Sequence, residues 1–451
     1  MAHRWIEKIR VHDILRDWSL EEARQDRFLD VIDKTSGQFG APLTDIMVSY
    51  HSSYQGFSGQ NLQARPNLRA LTGFRLQSIS LPKLRFLRVL HIENSSLQNF
   101  SKAIGECIHL RCLMLRKCGH VTTLPSSIGQ LLYLQTIDTR GTDIGLVPSS
   151  VWGIPSLRHV YLDNYISPPW GVEQKELQTL WLDFPHSRHL YYNLDMLRFL
   201  GQMTQLTTMM LGTNRPIPEE MMNILADKPR LVDVVLDGFS ELDRWPESHY
   251  FPQGLRSFSL TAGAMKQDPM PILEKLPCLV VLKLSGYIGR TMSCSAGGFP
   301  RMQNLQLIDF RTEEWKIEAG AMPKLSHLIL KRFFMMRKLP EGLLHLQSLN
   351  YLELEFMPFI SVGHDSTLKE LQQKGCKVTS LTLLFSLSLF YLILLCYPRS
   401  LQRGIEMFVI FVLFNLLAVL FSIFPSCIVL SGMIFSCVFL QVTKDGDPDL
   451  N

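Results

Sequence analysis

The segment Leu110-Arg-Cys-Leu-Met-Leu115 decides the fold of this chain. Its three leucines follow the template L-x-x-L-x-L. Spacings of three and two alternate in this template, and no single face of a helix maintains that order. The template recurs along the chain, with isoleucine, valine or phenylalanine replacing some of the leucines. Its twelve copies begin at Leu87, Leu110, Leu134, Leu157, Leu177, Leu206, Leu231, Leu255, Leu279, Leu305, Leu325 and Leu349.

The spacing of these copies predicts a repeat architecture. They span 262 residues over eleven intervals, about 24 residues each, and Leu68 begins an earlier, degenerate copy. A period of 20–29 residues with this template is typical of leucine-rich repeats, in which each unit contributes one short strand. A single unit cannot bury its apolar face, so neighbouring units must stack. The expected fold is therefore an α/β leucine-rich-repeat solenoid with a curved parallel sheet.

Prolines are expected to open the segments that return from one strand to the next. A proline cannot donate a ladder hydrogen bond, so it suits such a segment. The dipeptides with this role are Leu124-Pro125, Val147-Pro148, Ile217-Pro218 and Leu339-Pro340.

The residues between the inward leucines should face the concave surface. One such column is predicted to hold His91, Met114, Asp138, Tyr161, Trp181, Met210, Val235, Ser259, Lys283, Asp309, Ile329 and Glu353. Exposed aromatic side chains on a rigid surface are common anchors for a protein ligand. The predicted protein-binding residues are His159, Tyr161, Asp163, Trp181, Asp183 and Met210. Lys228 is expected on the convex side or the rim. As an alternative, the 29-residue step from Leu177 to Leu206 contains an insertion that covers the aromatic residues.

Composition excludes several classes of protein. Hydrophobic residues make up 46% of the 451 positions and the net charge is +4, so neither a disordered chain nor an electrostatic nucleic-acid binder is expected. The motifs G-x-S-x-G and H-E-x-x-H are absent. We therefore expect no enzyme, with no catalytic residues, no cofactor and no metal. Cys107, Cys112 and Cys118, with two nearby histidines, could in principle bind a metal, but small core and surface positions are the favoured interpretation.

The N-terminal sequence carries a family resemblance. Val11-His12-Asp13 is followed by Ile14-Leu15-Arg16-Asp17 and then by an amphipathic pattern that ends near Phe28-Leu29-Asp30-Val31. This register resembles the end of the nucleotide-binding region of plant intracellular immune receptors, the NLR proteins. The resemblance implies that the histidine matching His12 senses bound ADP in the family. Because this sequence has no G-x-x-x-x-G-K-[ST] motif, His12 is expected to be a vestigial position without nucleotide.

The repeats extend the resemblance to about residues 4–378. The stretch from Leu124 to Leu162, with its "SSVW" and "LRH" elements, is similar to the cereal-type NLR repeat, and ELQQKGCKV resembles the close of such domains. The resemblance implies recognition in plant innate immunity, with a pathogen effector or a guarded host protein as the partner. The alternative is a membrane-tethered repeat scaffold unrelated to defence. The N-terminus has no apolar signal segment, so a cytoplasmic location with reduced cysteines is expected.

The C-terminal part has a different composition. Nineteen uncharged residues, 379–397, are long enough for a transmembrane helix, and the 36 uncharged residues 407–442 could form one or two more. An extension translated from non-coding sequence would have the same composition, and both interpretations stay open. The expected division is 1–40, a remnant of the winged-helix and nucleotide-binding region; 41–378, the repeats; 379–397, a transmembrane helix; 398–406, a loop; 407–442, one or two transmembrane helices; and 443–451, a polar tail. Membrane association through 379–442 follows from the first interpretation.

Overall fold

A computed structural model describes most of the repeat region. The described residues are 30–32, 47–51, 67–76, 79–81, 83–145, 147–163, 173–184, 194–213, 220–238, 241–360 and 365–381. His12, the predicted N-terminal amphipathic segment up to Leu29 and residues 382–442 of the predicted membrane spans lie outside them. Asp30 and Val31, the last two residues of that segment, belong to a short strand and not to a helix. Among the described residues, the helices are all too short or too polar to serve as a membrane span.

Short strands dominate the described residues. They are β1 (Asp30–Ile32), β2 (Met47–His51), β3 (Ala70–Phe74), β4 (Ile79–Ser80), β5 (Val89–Glu93), β6 (Leu97–Gln98), β7 (Cys112–Arg116), β8 (Thr136–Asp138), β9 (His159–Leu162), β10 (Thr179–Phe184), β11 (Thr208–Thr213), β12 (Asp233–Asp237), β13 (Glu241–Leu242), β14 (Ser257–Met265), β15 (Val281–Tyr287), β16 (Thr291–Cys294), β17 (Asn304–Ile308), β18 (Glu314–Ile317), β19 (His327–Lys331), β20 (Tyr351–Glu355) and β21 (Lys377–Leu381). The helices are α1 (Phe100–Ile104), α2 (Leu194–Gln202), α3 (Glu220–Ala226), α4 (Met270–Leu273) and α5 (Ser366–Gln373).

One parallel sheet runs through the repeats. From β1 to β21, each of its strands pairs in parallel with the strand of the preceding and the following repeat, and β13 adds to the C-terminal end of β14. The pairs β4–β6 and β16–β18 form two small sheets of their own. This chain-order parallel pairing confirms the predicted solenoid.

The leucine template explains the strand pattern. In β7, Leu113 and Leu115 are buried while the residues that alternate with them are partly exposed, and the preceding Leu110 is also buried. Each template leucine meets its equivalents in the neighbouring repeats, and together they form one continuous core. The degenerate copy at Leu68 is confirmed as a repeat, because Leu68 and Leu71 are buried beside β3.

Prolines open several of the return segments, as predicted. Pro125, Pro148 and Pro340 each directly precede one turn of 3-10 helix, at Ser126–Gln130, Ser149–Gly153 and Glu341–His345. Trp152 of the second of these segments is fully buried and packs edge-to-face on Phe199, with the ring centroids 5.0 Å apart. Ile217-Pro218 lies outside the described residues.

The end of the described region combines a capped helix with a last strand. Asp365 caps α5 by accepting a hydrogen bond from the Leu368 backbone N–H (2.8 Å), and Leu368 and Leu371 are buried. Strand β21 then pairs with β20 over its whole length and continues to Leu381. The sheet therefore includes residues 379–381, the first three positions of the predicted transmembrane helix.

Candidate functional site

Three of the predicted binding residues lie side by side on the concave face. The register of β9, β10 and β11 pairs Tyr161 with Trp181 and Trp181 with Met210. The two aromatic rings are 6.4 Å apart between centroids and tilted by 38°. Tyr161 and Trp181 are partly exposed, whereas Met210 is only 7% exposed. The leucine spacing places these residues in one row because the intervening positions all point to the same side of the sheet.

An arginine that the sequence pattern did not single out joins this row. The guanidinium carbon of Arg140 lies 4.6 Å from the centroid of the Tyr161 ring and 4.9 Å from that of Trp181. Both distances are within the range of favourable cation–π contacts. Arg140 stands two residues beyond Asp138, past the end of β8, so the strand template could not place it.

A buried carboxylate holds Arg140 in place. Asp138 is fully buried at the end of β8 and accepts hydrogen bonds from Arg116 Nε (2.7 Å) and Arg140 Nη2 (2.8 Å). Burial alone would raise the pKa of Asp138, but the hydrogen bonds and charges of the two arginines outweigh it, so the pKa lies below its ordinary value. Asp138 is therefore ionised at neutral pH and orients both cations.

The flanking polar residues have structural partners. His159 Nδ1 lies 3.1 Å from Thr179 Oγ1 of the neighbouring strand, and burial together with Arg158 lowers the pKa of His159. Asp163 follows β9 and accepts a hydrogen bond from the Gly141 backbone N–H; burial raises its pKa. Asp183 pairs in register with Gly212. All six predicted site residues thus lie on β9–β11 or directly after β9.

A shallow groove continues from this row across the concave face. Its volume is about 180 Å³, and it extends from β10 to β19. Apolar and polar side chains alternate on its floor, with Trp181 and Met210 at one end and Ile329 at the other. The column between them consists of Val235, Ser259, Lys283 and Gln306.

The position predicted for Asp309 in this column is wrong. The register aligns Lys283 with Gln306 and Gln306 with Ile329. The buried Met302, and not Leu305, fills the first apolar position of this repeat, which shifts the template by three residues. Asp309 lies beyond β17 with a positive φ of 58° and accepts a hydrogen bond from Arg332 Nη2 at 2.6 Å.

The expected position of Lys228 is also wrong. Its side chain is fully buried, and its ammonium group donates hydrogen bonds to the carbonyl oxygens of Gly201 (3.2 Å) and Met203 (3.1 Å), at the end of α2. Carbonyl groups in the last turn of a helix lack partners inside the helix and carry partial negative charge, so they attract a cation. Burial lowers the pKa of Lys228 to about 8.

Two of the three clustered cysteines, Cys107 and Cys118, are buried in the core, and Cys112 is partly exposed. Burial raises the pKa of Cys107, Cys112 and Cys118 to about 11 in each case. Cys118 Sγ contacts the backbone oxygen of Ile92 at 3.3 Å, in the preceding repeat. Within the described part of the chain, no three His, Cys, Asp or Glu side chains are grouped so that they could hold a metal ion.

Solved structures with a similar shape include a leucine-rich-repeat protein of Leptospira interrogans. It is 20% identical, with a TM-score of 0.48, and the match covers 80% of this chain and 98% of that one.

Sequence relatives point to plant disease resistance. RPP8-like protein 4, named as a probable disease resistance protein of Arabidopsis thaliana, is 30% identical over 390 residues, which is 77% of this chain and 42% of the relative. Disease resistance RPP8-like protein 3 of the same plant is 30% identical over 389 residues, again 77% and 42%. The chain thus spans about two fifths of the length of these relatives. Homology to plant disease resistance proteins agrees with the resemblance found in the sequence.

The repeats themselves match a family. The family described as "Leucine-rich repeat region" matches residues 67–228 and 173–374, which together cover more than half of the chain and include every strand from β3 to β20. The chain therefore belongs to the leucine-rich-repeat family.

Proposed function

We propose that this chain is the protein-recognition module of a plant disease resistance protein. Its partner is a pathogen effector or a host protein that the receptor guards. The chain binds this partner in the cytoplasm. Homology to the RPP8-like proteins supports the setting. The observation that carries the binding role is the cluster of Arg140, Tyr161 and Trp181, which is held in place on the sheet. Trp181 also lines one end of the concave groove.

The chemistry of this cluster suits a protein ligand. Aromatic and arginine side chains dominate the energetics of protein interfaces, above all where neighbouring groups hold them in place. Asp138 fixes Arg140, and Arg140 in turn spans both rings, so little conformational entropy is lost when a partner binds. The neutral His159 and the carboxylate of Asp183 add hydrogen-bonding groups at the edge of the row.

The experiment starts from a captured partner. The full chain is immobilised and incubated with extract from infected leaves, and a retained protein is identified, purified and titrated against the wild-type chain. Trp181→Ala and Tyr161→Ala should each weaken the affinity by about thirtyfold, equivalent to about 2 kcal/mol.

Tyr250→Ala is the matched control. Tyr250 is an exposed aromatic residue in the 3-10 turn Ser248–Tyr250, outside the concave sheet, and its removal should leave affinity unchanged. Equal losses for all three variants, or no loss for any of them, would place the binding surface elsewhere. Lys228 is unsuitable as a control because its side chain is buried.

A further inference from the structure

A second surface lies where the chain leaves the strands of the last repeats. We call the turns before the strands entry turns and the turns after them exit turns. Of the eight large hydrophobic residues that are exposed within the described ranges, three lie in the successive exit turns after β19 and β20: Phe334, Met335 and Phe359. Exposed apolar side chains are normally scattered singly over a surface, so such a cluster indicates an interaction surface.

The two exit turns share one pattern of burial. In residues 333–336, and again in residues 357–360, a buried apolar residue stands on each side of an exposed pair. The exposed pairs are Phe334-Met335 and Pro358-Phe359. Phe333, directly before the first pair, stacks on Phe310 of the preceding repeat with the ring centroids 5.4 Å apart. The buried neighbours therefore hold each pair at the surface, and the pairs cannot turn into the core.

Arginines lie beside the exposed apolar pairs. The guanidinium carbon of Arg337 is 6.0 Å from the centroid of the Phe359 ring, so this arginine connects the two turns. Arg311 is exposed in the preceding exit turn, where the register of β17 and β19 makes it equivalent to Phe334. Neither arginine has an ion-pair partner among the residues that the structure describes.

The two turns contain no acidic residue. Aspartate and glutamate are absent from 332–340 and from 356–360. The next acid along the chain, Glu341, is paired with Lys338, whose Nζ lies 3.4 Å from its carboxylate. The exposed apolar side chains are therefore surrounded by positive charge.

We propose that this apolar–basic edge, defined by Arg311, Phe334, Met335, Arg337 and Phe359, contacts the surface of a bilayer that contains anionic phospholipid. The phenylalanine and methionine side chains enter the boundary between the headgroups and the acyl chains. The two arginines contact the negatively charged headgroups. Two protruding turns suit a lipid surface because lipid adapts to their shape and no matching pocket is needed.

The sequence that follows the repeats favours lipid as the occupant. β21 pairs with β20 so that Leu381 is in register with Glu355, four residues before Phe359. The next residues, 382–397, carry no charge, and a stretch of this composition favours hydrocarbon over water. It begins at the edge of the sheet that carries the exposed rings. A bilayer that takes up this stretch therefore lies at the exit turns of the last repeats.

Size argues against a protein as the occupant. A stable protein interface buries about 800 Å² on each partner and involves roughly 20–30 residues of each. The apolar part of this edge consists of only the two exposed pairs, which is enough for shallow insertion into a headgroup layer. The edge is separate from the concave row around Trp181, so the proposal does not depend on the recognition role of that row.

The test identifies what each exposed ring contacts at a membrane. The photoreactive residue p-benzoylphenylalanine replaces Phe334 or Phe359 in the full chain, which is reconstituted into vesicles of phosphatidylcholine and phosphatidylserine. Illumination followed by mass spectrometry identifies the cross-linked molecule. We expect phospholipid adducts at both positions. The replacements leave the core intact, because both rings are about half exposed.

Two exposed aromatic residues elsewhere provide matched controls. The same photoreactive residue at Phe86, in an entry turn, or at Tyr250, in the 3-10 turn Ser248–Tyr250, should give about tenfold fewer lipid adducts, because a ring away from the headgroups has no lipid within reach. The proposal is overturned if positions 334 and 359 give no lipid adducts. It is also overturned if all four positions react with lipid alike, or if the adducts at 334 and 359 join two copies of the chain.

A charge reversal tests the role of the arginine. R337E should lower the lipid adduct yield at position 334 by about fivefold in vesicles with phosphatidylserine, because each basic residue near an anionic surface contributes about that factor. In vesicles of phosphatidylcholine alone, the yield should not change. R256E, at an exposed arginine before β14, is the matched control and should leave the yield unchanged in both. Equal losses for R337E and R256E would contradict a contact between Arg337 and lipid headgroups.

Discussion

The ammonium group of Lys228 lies 3.1 Å from the carbonyl oxygen of Met203, although 25 residues separate the two along the chain. The contact joins consecutive repeats, because Lys228 follows α3 and Met203 follows α2. A charged group is thus buried in the core of the solenoid and satisfies helix-end carbonyls that would otherwise lack partners. This arrangement has a measurable dependence on pH.

Stability relative to Lys228→Met should rise with pH between about 8 and about 10.5. Burial lowers the pKa of Lys228 from 10.5 to about 8, so in this window the unfolded state binds the proton that the folded state has released. The free energy of unfolding then increases with pH, by up to roughly 3 kcal/mol over the whole window.

Urea unfolding of the wild type and of Lys228→Met at several pH values measures the difference in unfolding free energy between the two proteins. Tyrosines and cysteines titrate in both proteins, so their contributions cancel in this difference. A difference that stays constant from pH 7 to 10.5 would show that Lys228 titrates normally and is not buried as described.

Removing the carboxylate of Asp138 should destabilise the fold and leave Arg140 less firmly held beside Tyr161 and Trp181. Asp138→Ala leaves Arg116 and Arg140 without their shared partner, and loss of one member of a buried ion pair costs about 3 kcal/mol or more at pH 7. The measurement is the unfolding free energy, with Arg140→Gln as a comparison that keeps Asp138 paired to Arg116.

The same carboxylate predicts an acid dependence with the same sign as that of Lys228: the free energy of unfolding rises with pH, here at the acid end of the range. Because the pKa of Asp138 is lowered in the folded state, its contribution is complete above the unfolded value of about 4 and is lost as the pH falls below it. The stability gap between the wild type and Asp138→Asn should therefore narrow below pH 4. If it widens instead, the two arginines do not hold the ionised form.

Leucines of the template and leucines outside it should respond differently to truncation. Leu115 is completely buried in β7, whereas Leu132 is 58% exposed in an entry turn. Leu115→Ala should cost about 2–5 kcal/mol because it opens a cavity, while Leu132→Ala should stay within about 0.5 kcal/mol. Chemical denaturation of the two variants side by side checks the assignment. Similar losses would mean that the template does not define the core.

The clustered thiols should be unreactive in the folded protein. With pKa values near 11, Cys107 and Cys118 are almost entirely protonated at pH 7.5, and thiolate is the species that reacts with iodoacetamide. We expect slow alkylation in buffer and complete alkylation in urea, measured by mass spectrometry of the peptides. Cys278, which is partly exposed, provides the internal comparison. Rapid labelling of the buried pair under native conditions would contradict their placement in the core.

Periodic residues could be predicted from the sequence, and long-range partners could not. The leucine template fixes the position of each residue along its strand, and the register of β9–β11 follows from it. This register makes neighbours of Tyr161, Trp181 and Met210. The template failed at Met302, since methionine fills a leucine position there and moves Asp309 out of the column. The contact of Arg140 with the rings depends on the path of the chain after β8, about which the spacing of leucines carries no information.

Lys228 shows a second reason why some positions could not be predicted from the sequence. Lysine is almost never fully buried unless it is paired, so composition favoured an exposed position. Its burial depends on α2, whose last residues accept its hydrogen bonds from the preceding repeat. The hydrogen bonds that compensate for burying the ammonium group come from a segment about 25 residues earlier in the chain. They can be identified only once the three-dimensional structure brings the two segments together.

The strict chain-order pairing of the sheet has a mechanical consequence. Each strand is hydrogen-bonded only to the strands of the repeats beside it, so a force that pulls on one end is transmitted through the repeats in series and is not shared among them. Under an applied force, the repeats of the solenoid should unfold one at a time and at similar forces. Each rupture would release one repeat of about 24 residues, or roughly 80 Å of extended chain at about 3.4 Å per residue. A partner bound across several repeats would then raise the force at which the first of these repeats unfolds.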